Sequence, residues 1–295
     1  MIAYVNRLGA AAPQAAALPD PAGVSVWSLD TTSDVVGGLR VADAERTLDA
    51  AERERAGRLV RPADRQRYRA SHLGLRVLLG NALGLPPEAV ELGREDCHCC
   101  GEPHGRPVVV GGGVRFSLSH SGDVAYVALA AVPVGVDVEA VPSAAAVADV
   151  LNTLHARETA ELRALPEAAR PPALARLWAR KEAYLKATGA GLALGLAEPY
   201  VGSAQAPAPV AGWDLSDLPA PAGYAAALAV RENEPRAVRE NAPQAARENR
   251  PHAVRENAPH AVGEAVPRAV RTAAPRAVRT AAPPAVGEAA SDERR

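Results

Sequence analysis

Along this chain hydrophobic and polar positions alternate in some short runs and recur at helical spacing in others, and the two periods place most elements. VSVWSLD, Val24 to Asp30, alternates like a strand. Alanine- and arginine-rich stretches from Ala42 to Val60 and from Ala63 to Leu83 read as helices, the second ending near Gly84. After Gly111 to Gly113, VRFSL and VAYVALAAV read as strands separated by SHSGD, which has the turn chemistry of a hairpin. VGVDVEAV opens a second half as another strand. Helices are expected from about Ala144 to Leu165 and from about Ala173 to Thr188, then a strand pair around Leu192 to Val201 and Tyr224 to Val230. The chain thus divides near residue 132 into halves 24–131 and 132–230, each mixing helices with a short sheet, so the expected class is α+β. Residues 1–23 have little pattern beyond Ala and Pro and read as a flexible leader.

From Arg231 the pattern changes to an eight-residue repeat (RENEPRAV, RENAPQAA, RENRPHAV and four further units), with proline at 235, 243, 251, 259, 267, 275 and 283. A proline every eight residues breaks a helix, and alanine and valine alone bury too little to offset ordering entropy, so a disordered tail is expected over 231–295. Its 12 arginines against 9 acids leave weak polyanion binding as the alternative to a passive, expanded repeat.

Composition narrows the function. Lys+Arg 33 against Asp+Glu 34 gives a formal charge of -1, so no global field points to nucleic acid. The longest apolar stretch, Val124 to Val136, is interrupted by Pro133 and is too short to span a bilayer. No nucleic-acid or membrane partner is expected. Cys97, Cys99 and Cys100 cluster in one segment, which suits a reducing cytoplasm better than a disulfide framework. With His98 and His104 that segment holds enough donors for zinc on paper, but it lacks a second metal-binding pair; a plain loop that places Arg106 is the competing reading.

On the strand VGVDVEAV, valines 134, 136 and 138 fall on one face, and Asp137 and Glu139 on the other, roughly 6 to 7 Å apart along the backbone. Such paired carboxylates suit magnesium; an ordinary solvated strand face is the bland alternative. In LARLWARKEAYLKATGAGL, Trp178, Glu182 and Lys186 stand at i, i+4 and i+8 on one helix face. A surface Glu–Lys pair would explain the last two, but the chain has 31 arginines and only two lysines, Lys181 and Lys186, both in this segment. Lysine, unlike arginine, can exchange a proton, so Lys186 is taken as chemical and Lys181 as a weaker candidate.

These segments, GRP at Gly105 to Pro107, FSLSHSGD at Phe116 to Asp123, GVDVE at Gly135 to Glu139, WARKEAYLKATGAGL at Trp178 to Leu192 and WDLSDLPAPAGYAAALAV from Trp213, resemble in order the signature blocks of the Sfp-type phosphopantetheinyl transferases. The resemblance covers nearly all of residues 24–230 and none of the repeat. It implies a pseudo-dimer of two similar α+β halves with coenzyme A and Mg2+ in the cleft between them. The implied activity moves 4'-phosphopantetheine from coenzyme A to a serine of an apo acyl or peptidyl carrier protein, releasing adenosine 3',5'-bisphosphate, in a cytoplasmic monomer. Carried over residue by residue, Asp137, Glu139 and Glu182 hold the metal against the pyrophosphate. Glu182, or a water near it, helps deprotonate the serine, and Lys186 steadies the developing charge. Ser119 and His120 match the SHS turn whose histidine contacts the 3'-phosphate, and Lys181 is a further coenzyme A candidate. Arg106 stands where many members have lysine in GKP. One of Arg65, Arg67 and Arg69 is expected to add a phosphate or adenine contact, unless that face is merely solvated. Two other readings remain: a magnesium-dependent nucleotide pyrophosphate hydrolase, and a non-catalytic carrier-binding scaffold.

Overall fold

The computed structural model describes residues 4–13, 23–96, 101, 105–189 and 195–232. The cysteine segment 97–100 with His104, and the octapeptide repeat from residue 233 onward, lie outside the described residues.

The strands are β1 (Val5–Arg7), β2 (Val24–Asp30), β3 (Val35–Val36), β4 (Leu39–Arg40), β5 (Leu92–Arg94), β6 (Pro107–Val109), β7 (Arg115–Ser121), β8 (Val124–Ala130), β9 (Val134–Ala140), β10 (Trp213–Leu218) and β11 (Tyr224–Arg231). The helices are α1 (Ala50–Gly57), α2 (Pro62–Leu83), α3 (Ala144–Val150), α4 (Ala156–Ala164) and α5 (Arg170–Thr188). One sheet has the order β1-β2-β8-β7 and another β10-β11-β9, and β3-β4 and β5-β6 form small ribbons. The fold is mixed α+β, as the periodicities indicate.

Local chemistry explains where the elements differ from expectation. The helix expected over Ala42 to Val60 is divided into a 3-10 segment, Val41–Arg46, and α1. A capping box does this: the Asp49 side chain accepts from the Glu52 N–H, and the Glu52 carboxylate accepts from the Asp49 N–H, which starts a new helix. The helix expected from Ala144 to Leu165 divides in the same way, with His155 and Glu158 opening α4. By contrast α2 and α5 run uninterrupted, each with proline in its first turn and a left-handed glycine at its end, Gly84 and Gly189. Part of the leader is a strand: β1 pairs in parallel with β2, matching Val5 to Val26. No strand occupies 195–201; β11 instead lies between β10, matching Leu215 to Ala229, and β9.

Three apolar clusters hold these layers together. α2 packs Leu73, Leu75, Leu78 and Leu79 against Leu29, Val127 and Leu129. α5 contributes Leu174, Leu177, Ala179, Ala183 and Ala187 to a cluster with Trp213 and Ala227. Between the two sheets, Val26, Tyr126 and Ala128 meet Val134, Val136, Val138 and Leu228. The valine face of β9 therefore lies in the core, and its Gly135, Asp137 and Glu139 face turns toward α5. Among the described residues no helix is long and apolar enough to cross a membrane.

Candidate active site

Gly135 sets the distance between β9 and α5. A Cβ at this position would lie 2.0 Å from the Ala183 carbonyl oxygen and 2.5 Å from the Ala187 amide nitrogen. Both are backbone atoms, so only glycine permits the contact. α5 meets it with a stripe of small residues, Ala179, Ala183 and Ala187, all buried. This close approach lays Lys186 directly on Asp137, with Nζ to Oδ1 at 2.5 Å.

Asp137 is 2% exposed, not part of a solvated strand face. Its Oδ1 accepts from Lys186 and from the Ser119 hydroxyl at 2.7 Å, and its Oδ2 is buried without a hydrogen-bond partner. Burial raises the Asp137 carboxyl above its ordinary range despite the Lys186 ammonium and the Ser119 hydroxyl, which oppose the shift. Glu139 is pushed up to about 7 by burial and by the charge on Asp137, with Glu182 adding to the shift and Lys186 opposing it. Glu182 is also raised, by burial and then by Asp137. Three carboxylates thus feel one another across β9 and α5, with Lys186 as the cation among them. Among the described residues no three His, Cys, Asp or Glu side chains converge as a metal cage.

Asp137, Glu139, Glu182 and Lys186 fall within residues 133–229, which match the 4'-phosphopantetheinyl transferase superfamily. Over this span the chain is similar to that superfamily. It is 32% identical over 160 residues to the 4'-phosphopantetheinyl transferase HetI of Nostoc sp., a match covering 52% of this chain and 65% of that protein. It is also 32% identical over 194 residues to a phosphopantetheinyl transferase of Thraustochytrium sp., covering 60% of this chain and 64% of the relative. The chain therefore spans a little under two thirds of each of these relatives.

Within the matched span the structure unites Asp137, Glu139, Glu182 and Lys186, and it redistributes the other expected site residues. Lys181 is a correction to the expected coenzyme A set. It is 1% exposed, pairs with the fully buried Glu158 at 2.9 Å and donates to the Pro199 carbonyl, so it clamps a loop. Its neighbour Arg180 does likewise, reaching Asp217 and the carbonyls of Gly202, Ala204 and Gln205.

Arg106 is engaged by the protein itself: its guanidinium forks onto Glu95 and donates to the Ala187 carbonyl at 2.7 Å, tying the GRP segment to the end of α5. Ser119 is buried against Asp137. The SHS triplet lies within β7, and the hairpin turn is only Gly122-Asp123. His120 remains at the surface beside α2; the protein packed around it, then the charges of His72, Lys186 and Arg67, hold it below the usual histidine range. Of the three arginines in question Arg67 lies by His120, paired with Asp123 and Asp64; Arg65 donates to Leu59 and Arg69 pairs with Glu45. Gly135, Ser117, Ser121 and Glu95 escaped the sequence reading. The small stripe at Ala179, Ala183 and Ala187 is the one signal that a close strand crossing was needed.

Proposed function

We propose that this chain transfers 4'-phosphopantetheine from coenzyme A to a serine of an apo acyl or peptidyl carrier protein, with Mg2+ bound, as a cytoplasmic monomer. The observation that carries the reading is the buried Asp137–Lys186 pair with Glu139 and Glu182 beside it, inside the matched span. The residues fit a hard cation. Asp137 keeps one buried oxygen unpaired, and Glu139 and Glu182 are held back from ionising by burial and by neighbouring negative charge. Magnesium commonly takes one or two carboxylates and completes its shell with water and substrate phosphates, so a preformed cage is not required. Bound there by Asp137, Glu139 and Glu182, it would neutralise charge on the pyrophosphate.

The chain's own groups supply the remainder. The carrier serine oxygen forms a bond to the pantetheine-side phosphorus of coenzyme A, and the bond from that phosphorus to the bridging oxygen breaks, releasing adenosine 3',5'-bisphosphate. Glu182, a carboxylate whose proton affinity burial has raised, takes the serine proton directly or through a water. Lys186, held on Asp137, presents its positive charge to the phosphates as negative charge moves to the leaving group. A pseudo-dimeric cleft would bring the His120 and Arg67 surface to the nucleotide end of coenzyme A.

Incubation with coenzyme A, Mg2+ and apo acyl or peptidyl carrier protein, followed by intact mass of the carrier, tests the reading. A phosphopantetheine adduct is expected. Adenosine bisphosphate released equally without carrier would replace transfer by hydrolysis, and no turnover in either assay would leave a binding scaffold.

A further inference from the structure

Outside the ligating groups themselves, the segment that stands out is SLSHS in β7, whose alternate residues are all serine. β7 lies beside β9 in the other sheet without a backbone ladder between them, and the serines fill the seam. Ser117 Oγ accepts from the Val136 N–H at 3.0 Å, and Ser121 Oγ accepts from the Ala140 N–H at 3.1 Å. Between them Ser119 points the other way and donates to Asp137 Oδ1 at 2.7 Å. Ser119 thus engages an acid, while Ser117 and Ser121 on either side of it engage backbone.

We propose that Ser119 is a positioning residue that fixes which oxygen of Asp137 is available to a divalent cation. Ser119 and Lys186 together saturate Oδ1, and Oδ2 alone is left as a buried acceptor. A carboxylate anchored at one oxygen cannot rotate about its last bond without losing both partners, so the free oxygen keeps a fixed direction. Serine suits this position because its hydroxyl is short, donates to a carboxylate strongly and fits a seam between two strands. The role rests on the metal reading given above and assigns Ser119 to the carboxylate, not to the nucleotide.

The test is Mn2+ binding followed by electron paramagnetic resonance on the full chain, with coenzyme A at one fixed concentration. Ser119→Ala is expected to weaken Mn2+ by about 10- to 100-fold, the usual effect of losing a partner of a ligand. Ser119→Thr, which keeps the hydroxyl, is expected to recover most of it. Ser121→Ala, which leaves the Ala140 N–H unpaired, should leave Mn2+ affinity unchanged. Ser117→Ala leaves the Val136 N–H unpaired and is expected to lower the unfolding temperature with Mn2+ affinity unchanged, which separates positioning from loosening of the seam. Unchanged affinity in Ser119→Ala, or equal losses in Ser117→Ala and Ser119→Ala, overturns the proposal while the metal reading stands. A wild-type chain that binds no Mn2+ removes both together.

Discussion

Asp137 has to remain charged or be shared with a proton in a site nearly closed to water, and Lys186 is the group that makes the charged form tolerable. Removing one partner of a buried pair typically costs about 3–5 kcal/mol. Lys186 is 32% exposed, which places Lys186→Met toward the lower end, about 3 kcal/mol in chemical unfolding. Lys186→Arg keeps the charge and should unfold almost normally, yet a bulkier guanidinium cannot take the same point or exchange a proton, so transfer is expected to fall by about 10- to 10⁴-fold. Near-normal turnover in Lys186→Arg would reduce this lysine to the partner of Asp137. Glu139 gives a pH dependence with a definite sign. Its carboxyl is raised from 4.5 to about 7, so between these values the folded chain holds a proton that the unfolded chain has released. The stability this proton confers is complete below about pH 4.5 and is lost as pH rises through about 7; Asp137 and Glu182, also raised, act in the same direction. Melting curves in chelator from about pH 5 to 8 should fall across that window, Mg2+ should offset the fall, and Glu139→Gln should flatten part of it. A variant with the wild-type slope would place the titration on other groups. The acid residues and Lys186 were legible in the sequence because their types and spacing are chemical signals. That Lys181 serves a loop was not, since the two lysines look alike until Glu158 is placed beside one of them.

At the scale of elements, α5 is the part on which the site depends, because it carries Glu182 and Lys186 and rests on β9 through Gly135. Gly135→Ala must push a helix away from a strand against two backbone atoms, and a loss of at least about 1–3 kcal/mol is expected, with transfer falling further than folding because Lys186 moves with the helix. Gly57→Ala is the comparison: nothing lies within 4 Å of its Cβ, and it should be neutral or stabilise by about 0.4–1 kcal/mol. Equal unfolding free energies for the two variants would contradict the close crossing. Strands β2, β7, β8, β9 and β11 and helices α2 and α5 follow the hydrophobic periods. The two helices that divide do so at capping boxes whose acids, Glu52 and Glu158, look like ordinary solvent-facing residues in a helical period. The strand expected near Leu192 to Val201 was misplaced because an apolar run there resembles a strand, whereas the described part of that segment is held by side chains: Val201 N–H donates to Glu158 and Ser203 N–H to Glu161.

Over the whole molecule, the site depends on contacts that join the two sheets and the segments around them. Arg106 is one of these, holding Glu95 of one segment and the Ala187 carbonyl at the end of α5. Lysine cannot make both sets of contacts, so Arg106→Lys should lower stability by about 1–2 kcal/mol and reduce turnover through the placement of α5, with little change in coenzyme A affinity. A selective loss of coenzyme A affinity would instead restore Arg106 to the phosphate role read from its motif. Tyr126 makes a similar link, donating to the Pro219 carbonyl at 2.6 Å, and Tyr126→Phe should cost about 1 kcal/mol in unfolding. By itself the sequence determined the α+β class, the order of the main elements, and the identity of the acids and the lysine in the candidate site. Those properties reside in residue type and local period, which water and backbone sterics read without long-range partners. Tertiary structure alone decided that Asp137 is buried, that Ser119 belongs to it, that Arg106 is engaged by Glu95, and that Lys181 and Lys186 have different duties. Each of these depends on which groups distant in sequence share one desolvated space, and it is burial and pairing there, not composition, that set charge and availability.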